Sequence, residues 1–348
     1  MAAVLAEREL DALVVTELTN VRYLTGFTGT NGVCVVSGDE RLFFTDFRYT
    51  ERAESEVEGF ERAPAARELL ADVVKRVSGR VGFEDAHLSV RAHARLEKLV
   101  ADADGDAELV AAGSLVEGLR EVKDETELAA MRAAAELADG IYEHIRESGL
   151  LGRTELEVAT DLERVMRERG TEPAFPPIVA AAANGALPHA TPGETPIPSD
   201  TLVVVDLGCL LDGYCSDATR TFATGELSDR MHEVYDLVAT AQRTALDVLR
   251  PGTTGKQADS VARELIDAAG EGERFGHALG HGVGMEVHEG PVLAQRNEDE
   301  LVAGNVVTVE PGVYVPGEFG VRIEDLVVVT EGGHEILSHF PKGLVTLD

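Results

Sequence analysis

The strings VVVDLG at Val203–Gly208 and SDATR at Ser216–Arg220 decide the fold of the larger part of this chain. Three consecutive valines predict a buried strand, and the aspartate after them is costly to bury unless something neutralises its charge. Asp217 follows Asp206 across an Asp212-Gly213 pair, which is typical of a hairpin turn. A hairpin of this size predicts that both carboxylates lie at one place.

The arrangement of an acid beside an apolar strand recurs further along the chain. Glu310 follows an apolar run and precedes a Pro-Gly break, and Glu324 lies within a predicted strand over Val321–Val329. Arg322 and Glu324 are two residues apart, so on a strand they face the same side, where the arginine would orient the carboxylates. Each acid alone also suits a solvated strand end. Four together carry a charge of about −4, which two divalent cations would balance.

A nitrogen ligand is available in HALGHGVGMEVHEGP, which spans residues 277–291. Gly280, Gly282 and Gly284 argue against a helix, so we expect the histidines of this segment on a strand or loop with close backbone approach. One histidine with four carboxylates makes an oxygen-rich site, which suits manganese, cobalt or iron better than structural zinc. Asp325 is adjacent to Glu324 but is expected to lie outside the site.

The first third of the chain alternates predicted strands with helical stretches, which indicates a small α/β domain. The predicted strands are Ala12–Val15, Val33–Val36, Leu42–Phe44 and Val81–Glu84, and the predicted helices are Glu68–Val77 and Val90–Val100. A domain boundary is expected between Gly113 and Glu121, before an alanine-rich helix begins.

The remaining two thirds predict an α+β domain in which helices cover a mixed sheet. Helices are expected from Asp124 to Gly149, from Thr154 with a Thr154–Glu157 capping box, and over Asp229–Leu249 and Gly255–Ala269. Strands are expected over Leu202–Leu207, Thr219–Ala223, Val306–Val309 and Val321–Val329.

Composition excludes several classes of function. The net charge of −32 comes from 63 acidic and 31 basic residues without an acidic block, which indicates an acidic surface suited to a salt-rich cytoplasm. Nucleic acid is a poor partner for such a chain. No apolar run is long enough to span a membrane, and residues 1–7 do not resemble a secretion signal. Three scattered cysteines fit neither a disulfide framework nor a zinc site, so we expect a reduced, cytoplasmic protein.

These motifs together resemble the pita-bread metallopeptidases of family M24. The strings VVVDLG, SDATRTF, GHGVGMEVHEGP, TVEPGVY and VRIED are similar to the prolidase and Xaa-Pro aminopeptidase branch, and YLTGFTGTNG and FTDFRY resemble its creatinase-type N-terminal domain. Methionine aminopeptidases usually lack that first domain. The resemblance implies an α/β creatinase-like domain over residues 1–118 and an α+β pita-bread catalytic domain over residues 119–348.

The resemblance also implies a dinuclear metal site that takes Mn²⁺, with Co²⁺ as the alternative. Its five ligands would be Asp206, Asp217, His281, Glu310 and Glu324. Asp206 would bind one ion through both oxygens, Asp217 and Glu324 would bridge the ions, and the other two ligands would complete the second ion's site. The ions would acidify the water that attacks the substrate. Arg322 and Thr219 would support the ligands.

Further roles follow from the same resemblance. Glu310 lies where the family places its general base, and His288 and His189 match positions that contact the substrate and steady the tetrahedral intermediate. His277 would line the same pocket. The implied reaction is hydrolysis of the peptide bond that precedes a proline in a small peptide. A homodimer is expected, with the N-terminal domain helping to close the neighbour's site.

One position departs from the family pattern. Some prolidases carry an arginine directly after the HExP string to hold the carboxylate of a dipeptide, whereas this chain has Val292, and the nearest arginine is Arg296. A dipeptidase is favoured, and an Xaa-Pro aminopeptidase acting on longer peptides is the alternative. A metal-free binding module and a metal-free creatinase-like hydrolase are disfavoured, because all five ligand residues are present. The sequence leaves open the physiological metal, the preferred residue before proline and the oligomeric state.

Overall fold

The computed structural model describes residues 1–65, 67–103 and 105–347 of the chain. It divides into two compact units, Met1–Arg120 and Glu121–Asp348. None of the described helices is long and apolar enough to cross a lipid bilayer.

The first unit contains a six-stranded mixed sheet in the order β4-β3-β2-β1-β5-β6. Its strands are β1 Ala12–Val15, β2 Gly32–Ser37, β3 Arg41–Thr45, β4 Glu61–Pro64, β5 Arg80–Phe83 and β6 Glu108–Ala111. Its helices are α1 Ala2–Glu7, α2 Leu18–Thr25, α3 Thr50–Glu56, α4 Leu69–Val73, α5 Val90–Asp102 and α6 Leu115–Arg120. Alternate residues of β1 belong to two apolar clusters, with Leu13 and Val15 in one and Ala12 and Val14 in the other. Both faces of the sheet are therefore covered, and the predicted α/β class is confirmed.

Two local predictions in this unit need correction. The helix predicted over Glu68–Val77 is only the short α4. Glu84 lies outside β5, where its buried carboxylate accepts hydrogen bonds from the backbone N–H groups of Thr16 and Glu17.

Four of the described helices of the second unit correspond to the four that the sequence predicts, whereas a fifth, short helix was not predicted. The helices are α7 Glu125–Ser148, α8 Glu155–Glu168, α9 Ala182–Gly185, α10 Asp229–Val248 and α11 Gly255–Ala268, and the unpredicted one is α9. Asp124 and Thr154 form complete capping boxes with Glu127 and Glu157, which satisfy the free N–H groups at the starts of α7 and α8. Gly149 is the C-terminal cap of α7.

The strands of the second unit form antiparallel sheets against these helices. They are β7 Glu172–Pro173, β8 Ile178–Ala181, β9 Thr201–Leu207, β10 Cys209–Leu211, β11 Tyr214–Cys215, β12 Ala218–Thr224, β13 Gly280–Gly282, β14 Glu289–Leu293, β15 Val306–Val309, β16 Gly312–Val315, β17 Phe319–Arg322, β18 Asp325–Thr330 and β19 Gly333–Ile336. One sheet has the order β12-β9-β8 and a second has the order β14-β13-β15-β18-β19. The predicted α+β class is confirmed, but the predicted mixed sheet is wrong, because the named strands of this unit pair antiparallel.

The hairpin predicted between Asp206 and Asp217 is present, and it consists of two successive pairs of strands. Strand β9 pairs with β12 so that Asp206 lies opposite Thr219, and β10 pairs with β11 beyond them. Asp212 and Gly213 have φ angles of 51° and 91°, the left-handed conformation that a tight hairpin turn requires.

The strand predicted over Val321–Val329 is wrong in one respect. It is two strands, β17 and β18, separated by Ile323 and Glu324. The last residues of the chain pack beside β12, where the N–H of Ala223 donates to the carbonyl of Val345 and the N–H of Leu347 donates to the carbonyl of Ala223.

Candidate active site

A cavity of about 360 Å³ in the second unit brings all five predicted metal ligands together. They come from separate elements: Asp206 from β9, Asp217 just before β12, His281 from β13, Glu310 just after β15, and Glu324 from the break between β17 and β18. His189, His277, His288 and Arg322 line the same cavity. The five predicted ligands, which lie up to 118 positions apart in the sequence, therefore meet at one site.

The position of His281 depends on Gly280 and Gly282, the glycines on either side of it. A Cβ at Gly280 would lie 2.0 Å from the carbonyl oxygen of Thr308, and one at Gly282 would lie 2.0 Å from that of Gly290. Only glycine lets β13 lie this close to its neighbours, as the sequence predicts. The Nδ1 atom of His281 is 3.1 Å from the carbonyl oxygen of Gly282, so Nδ1–H donates and Nε2 is left as the ligand atom.

The ligand atoms lie close enough to share ions. One ligand atom from each of Asp217, His281 and Glu324 lies within 4.8 Å of the other two. His281 Nε2 is 3.3 Å from Glu310 Oε1 and 3.7 Å from Asp217 Oδ2. Asp206 Oδ1 is buried and has no hydrogen-bond partner within the described ranges. An orphaned carboxylate oxygen beside three more carboxylates and one imidazole fits oxygen-preferring divalent ions.

The electrostatics of the cluster also fit bound cations. Burial raises the pKa values of Asp217 and Glu324 well above the usual range, and repulsion from neighbouring carboxylates adds to this. Burial also raises the pKa of Asp206, although Arg322 opposes it. At Glu310, burial is outweighed by the hydrogen bond and charge of His281, so its pKa is lowered. Raised pKa values favour protonated carboxyl groups in the metal-free cluster, and divalent ions would displace such protons on binding.

Arg322 and Thr219 connect two of the ligands. Arg322 is buried, its Nη2 donates to Asp206 Oδ2 at 2.8 Å, and its Nε donates to Thr219 Oγ1 at 3.0 Å. The Thr219 hydroxyl donates to Glu324 Oε2 at 2.6 Å. The side chains of Arg322 and Glu324 both line the cavity, as expected. Arg322 ends β17, however, and Glu324 follows in the break, so the predicted placement of both residues on one strand is wrong.

Two residues of the site were missed in the sequence. The Tyr314 hydroxyl accepts from Arg322 Nη1 at 2.9 Å and donates to His277 Nε2 at 3.0 Å. Thr308 Oγ1 accepts from the N–H of His281 and donates to Glu310 Oε1 at 3.2 Å. Thr308 could have been found, because it lies two residues before Glu310 and shares its face. Tyr314 gave a weaker signal, as the one polar side chain in β16.

The substrate side of the cavity combines histidines with an apolar wall. The rings of His281 and His288 lie with centroids 4.3 Å apart, and burial lowers the pKa values of His277 and His288, which favours neutral imidazoles. The apolar wall consists of Phe175, Ile178, Pro188, Val287 and Val292. Arg296 does not line this cavity. It lies in an adjacent depression of about 280 Å³ together with Asp259, and the two spaces share His277 and Ala278.

Comparison with known proteins agrees with this architecture. The sequence model of metallopeptidase family M24 matches residues 129–331, and that of the creatinase/prolidase N-terminal domain matches residues 1–122. The peptidase YqhT of Bacillus subtilis (strain 168) is 43% identical over 343 residues, which cover 97% of this chain and 96% of that protein. A solved Xaa-Pro dipeptidase from Bacillus anthracis has a TM-score of 0.94 and 38% identity, covering 99% of this chain and 97% of its own. The X-Pro aminopeptidase from Thermotoga maritima has a TM-score of 0.89 and 36% identity, covering 98% and 99%. This chain belongs to metallopeptidase family M24 and consists of a creatinase-type N-terminal domain followed by a pita-bread catalytic domain.

Proposed function

We propose that this metallopeptidase is an Xaa-Pro dipeptidase, which hydrolyses the peptide bond that precedes a proline. The observation that carries the proposal is a single cavity in which four carboxylates and one imidazole face three further histidines and an apolar wall. The similar solved structures from Bacillus anthracis and Thermotoga maritima support it, since both are named for cleavage at Xaa-Pro bonds.

The five ligand residues would hold two divalent ions, with Mn²⁺ preferred over Co²⁺ for an oxygen-rich donor set. When bound, such ions polarise a carbonyl group and lower the pKa of a water molecule. Glu310 supplies the base, because His281 favours its ionised form. Its carboxylate takes a proton from the attacking water and returns it to the proline nitrogen as the C–N bond breaks.

The other residues of the cavity would bind and orient the peptide. His288 and His189 would donate hydrogen bonds to the substrate carbonyl and to the oxygen that gains charge during attack. His277 is held by Tyr314 at one ring nitrogen and by the carbonyl of Ala278 at the other, so it would form a fixed wall. Proline offers no N–H, so the apolar wall would recognise its ring by shape.

An Xaa-Pro aminopeptidase is the second candidate, and a feature of the cavity favours it. Val292 occupies the wall where some prolidases carry a carboxylate-binding arginine. Among the described residues that line the cavity, Arg322 is the arginine present, and its Nη atoms already bind Asp206, Tyr314 and the carbonyl of Pro188. Arg296 would have to reach in from the adjacent depression to hold a free carboxylate.

The test compares Met-Pro, Met-Ala and Met-Pro-Ala with Mn²⁺-loaded protein. We expect rapid cleavage of Met-Pro and little of Met-Ala. If Arg296 holds the carboxylate, Met-Pro is preferred over Met-Pro-Ala, and Arg296→Ala removes the preference, since losing a charged partner costs about 2–5 kcal/mol. Equal or faster cleavage of Met-Pro-Ala identifies the aminopeptidase. Cleavage of neither proline peptide would contradict the proposed specificity.

We further propose domain limits of 1–118 and 119–348, a homodimer, and a salt-adapted enzyme that works in the cytoplasm without nucleic-acid or membrane partners. The excess of acidic over basic residues supports adaptation to salt and argues against a nucleic-acid partner. Light scattering on the purified protein tests the dimer, and a monomer at micromolar concentration would contradict it.

A further inference from the structure

A buried charged network lies behind the cavity, on the opposite face of β12. Thr219 and Arg220 are neighbours in that strand, so their side chains point to opposite faces. Thr219 lies on the site side, where its hydroxyl binds Glu324. Arg220 is only 2% exposed and does not line the cavity. Any effect of Arg220 on the site must therefore act through other residues.

The guanidinium group of Arg220 is bound at all three nitrogens. Its Nε and Nη2 atoms donate to the carbonyl of Phe340 at 3.1 and 2.8 Å, and Nη2 also donates to Asp325 Oδ1 at 2.9 Å. Its Nη1 atom donates to the carbonyl of Thr219 at 2.9 Å and to the carbonyl of Glu324. One planar side chain thus joins three segments of backbone.

Asp325 holds the guanidinium in place. It is fully buried, and its Oδ2 accepts from Gln242 Nε2 at 2.9 Å and from Lys342 Nζ at 2.5 Å. A buried carboxylate that loses a cationic partner is left uncompensated, so these residues behave as a unit. The network therefore runs from Lys342 through Asp325 and Arg220 to the backbone of Glu324.

The backbone of Glu324 depends on this network and on Thr219 for its hydrogen bonds. It lies in the break between β17 and β18, outside both strand ladders. Its N–H donates to the carbonyl of Thr219 at 3.1 Å, and its own carbonyl accepts from Arg220. Both of its backbone groups are thus bound by residues 219 and 220.

We infer that Arg220, held by Asp325 and Lys342, is a positioning residue that fixes Glu324 for metal binding. This deepens the proposed function, because it takes Glu324 as a ligand of the metal site. A purely structural ion pair would affect stability alone, whereas a positioning residue affects metal affinity in protein that remains folded.

The deciding variant is Arg220→Lys, which keeps the charge beside Asp325 but loses the planar fork that reaches the carbonyls. Calorimetric titration of metal-free protein with Mn²⁺ should show affinity about 10–100-fold weaker than that of the parent, as for other residues that support ligands. With Met-Pro, we expect kcat to fall while KM stays within about twofold, because the peptide-binding wall is untouched.

Two further variants separate positioning from stability. Ile266→Ala opens a gap in the apolar core of the same unit at α11, a helix that contributes no residue to the network, so it should lower the melting temperature and leave Mn²⁺ affinity unchanged. Lys342→Met removes one end of the network at a side chain that is 29% exposed, so it should fold and weaken Mn²⁺ binding by about tenfold or less.

Unchanged Mn²⁺ affinity in folded Arg220→Lys would overturn the inference. If Arg220→Lys does not fold, unchanged affinity in Lys342→Met overturns it instead. Failure of the proposed function looks different, because the parent protein would then bind Mn²⁺ tightly and cleave no Xaa-Pro peptide. The affinity comparison remains valid in that case.

Discussion

At the scale of the single residue, the two adjacent acids Glu324 and Asp325 have different roles. Glu324 faces the cavity with the other predicted ligands, whereas Asp325 is buried against Arg220, Gln242 and Lys342. We expected Asp325 to be outside the site, and it does not line the cavity. Its ion pairs are buried, so replacing Asp325 should be strongly destabilising even though the residue is outside the cavity.

The proposed base provides a residue-scale prediction. Replacing Glu310 with Gln removes a ligand charge and the proton acceptor, so kcat for Met-Pro should fall by about two to four powers of ten. The measurement is steady-state kinetics at saturating Mn²⁺. A matched control is Glu298→Gln, because Glu298 is an exposed carboxylate that pairs with Lys256 and lies outside the cavity. Equal losses in both variants would show that another acid is the base.

At the scale of the element, the sequence predicts the strands better than the links between them. Strand β15 was predicted with correct ends, since it is four apolar or β-branched residues between turn signals. The break at Ile323 and Glu324 was missed, because Glu324 is held there by Thr219 and Arg220, over 100 residues earlier. Local pattern contains no information about such partners. The five predicted metal ligands line one cavity, and they were chosen from family motifs, which supply the long-range information that periodicity lacks.

A second prediction concerns the segment that carries His189. Glu155 in the first turn of α8 is buried, and its carboxylate accepts from the N–H of Ala181, the side chain of Asn184 and the N–H of Gly193. Glu155 therefore binds the chain both before and after His189. Glu155→Gln leaves at least one of these donors unpaired, so we expect a loss of about 1–3 kcal/mol in unfolding free energy and a higher KM for Met-Pro.

The control for this prediction is Glu157→Gln in the same turn. Glu157 is exposed, and its carboxylate completes the capping box, where glutamine also works. It should leave KM unchanged. A normal KM in Glu155→Gln would show that the segment around His189 is held by other contacts.

At the scale of the whole molecule, two effects of charge should be measurable. The first comes from the carboxylate cluster. The folded pKa values of Asp217 and Glu324 are raised, so their destabilising effect is absent below about pH 4, the usual carboxyl range, and grows as the pH rises toward the folded pKa. Without metal, they should therefore cost stability increasingly from about pH 4 upward.

We thus predict that the melting temperature of Mn²⁺-loaded protein exceeds that of chelated protein by an amount that grows between about pH 5 and pH 8. Differential scanning calorimetry measures this difference. A double variant, Asp217→Asn with Glu324→Gln, removes both ionisable groups and should flatten the pH dependence of the chelated form. A constant difference across the range would contradict the electrostatic account.

The second effect comes from the net charge of −32. Screening shortens the range of self-repulsion from about 10 Å in 0.1 M salt to about 3 Å in 1 M salt, so added potassium chloride should stabilise the fold. We expect the melting temperature of the second unit to rise by about 5 °C or more, since ~1 kcal/mol shifts the melting temperature of a unit of this size by about 2–4 °C. Sorbitol at equal osmolality is the control, and an equal rise in sorbitol would rule out screening as the cause.

The late position of Phe340 and Lys342 in the chain has a consequence for biosynthesis. A ribosome delivers the chain from its N-terminal end, so Glu324 emerges late, and Phe340 and Lys342 emerge later still. A released chain that ends at residue 335 contains all five ligand residues but lacks the carbonyl of Phe340 and the ammonium group of Lys342 that complete the network behind Glu324. Such a chain should capture Mn²⁺ poorly, so that metal loading reports the completion of synthesis and an unfinished peptidase stays inactive inside the cell that makes it.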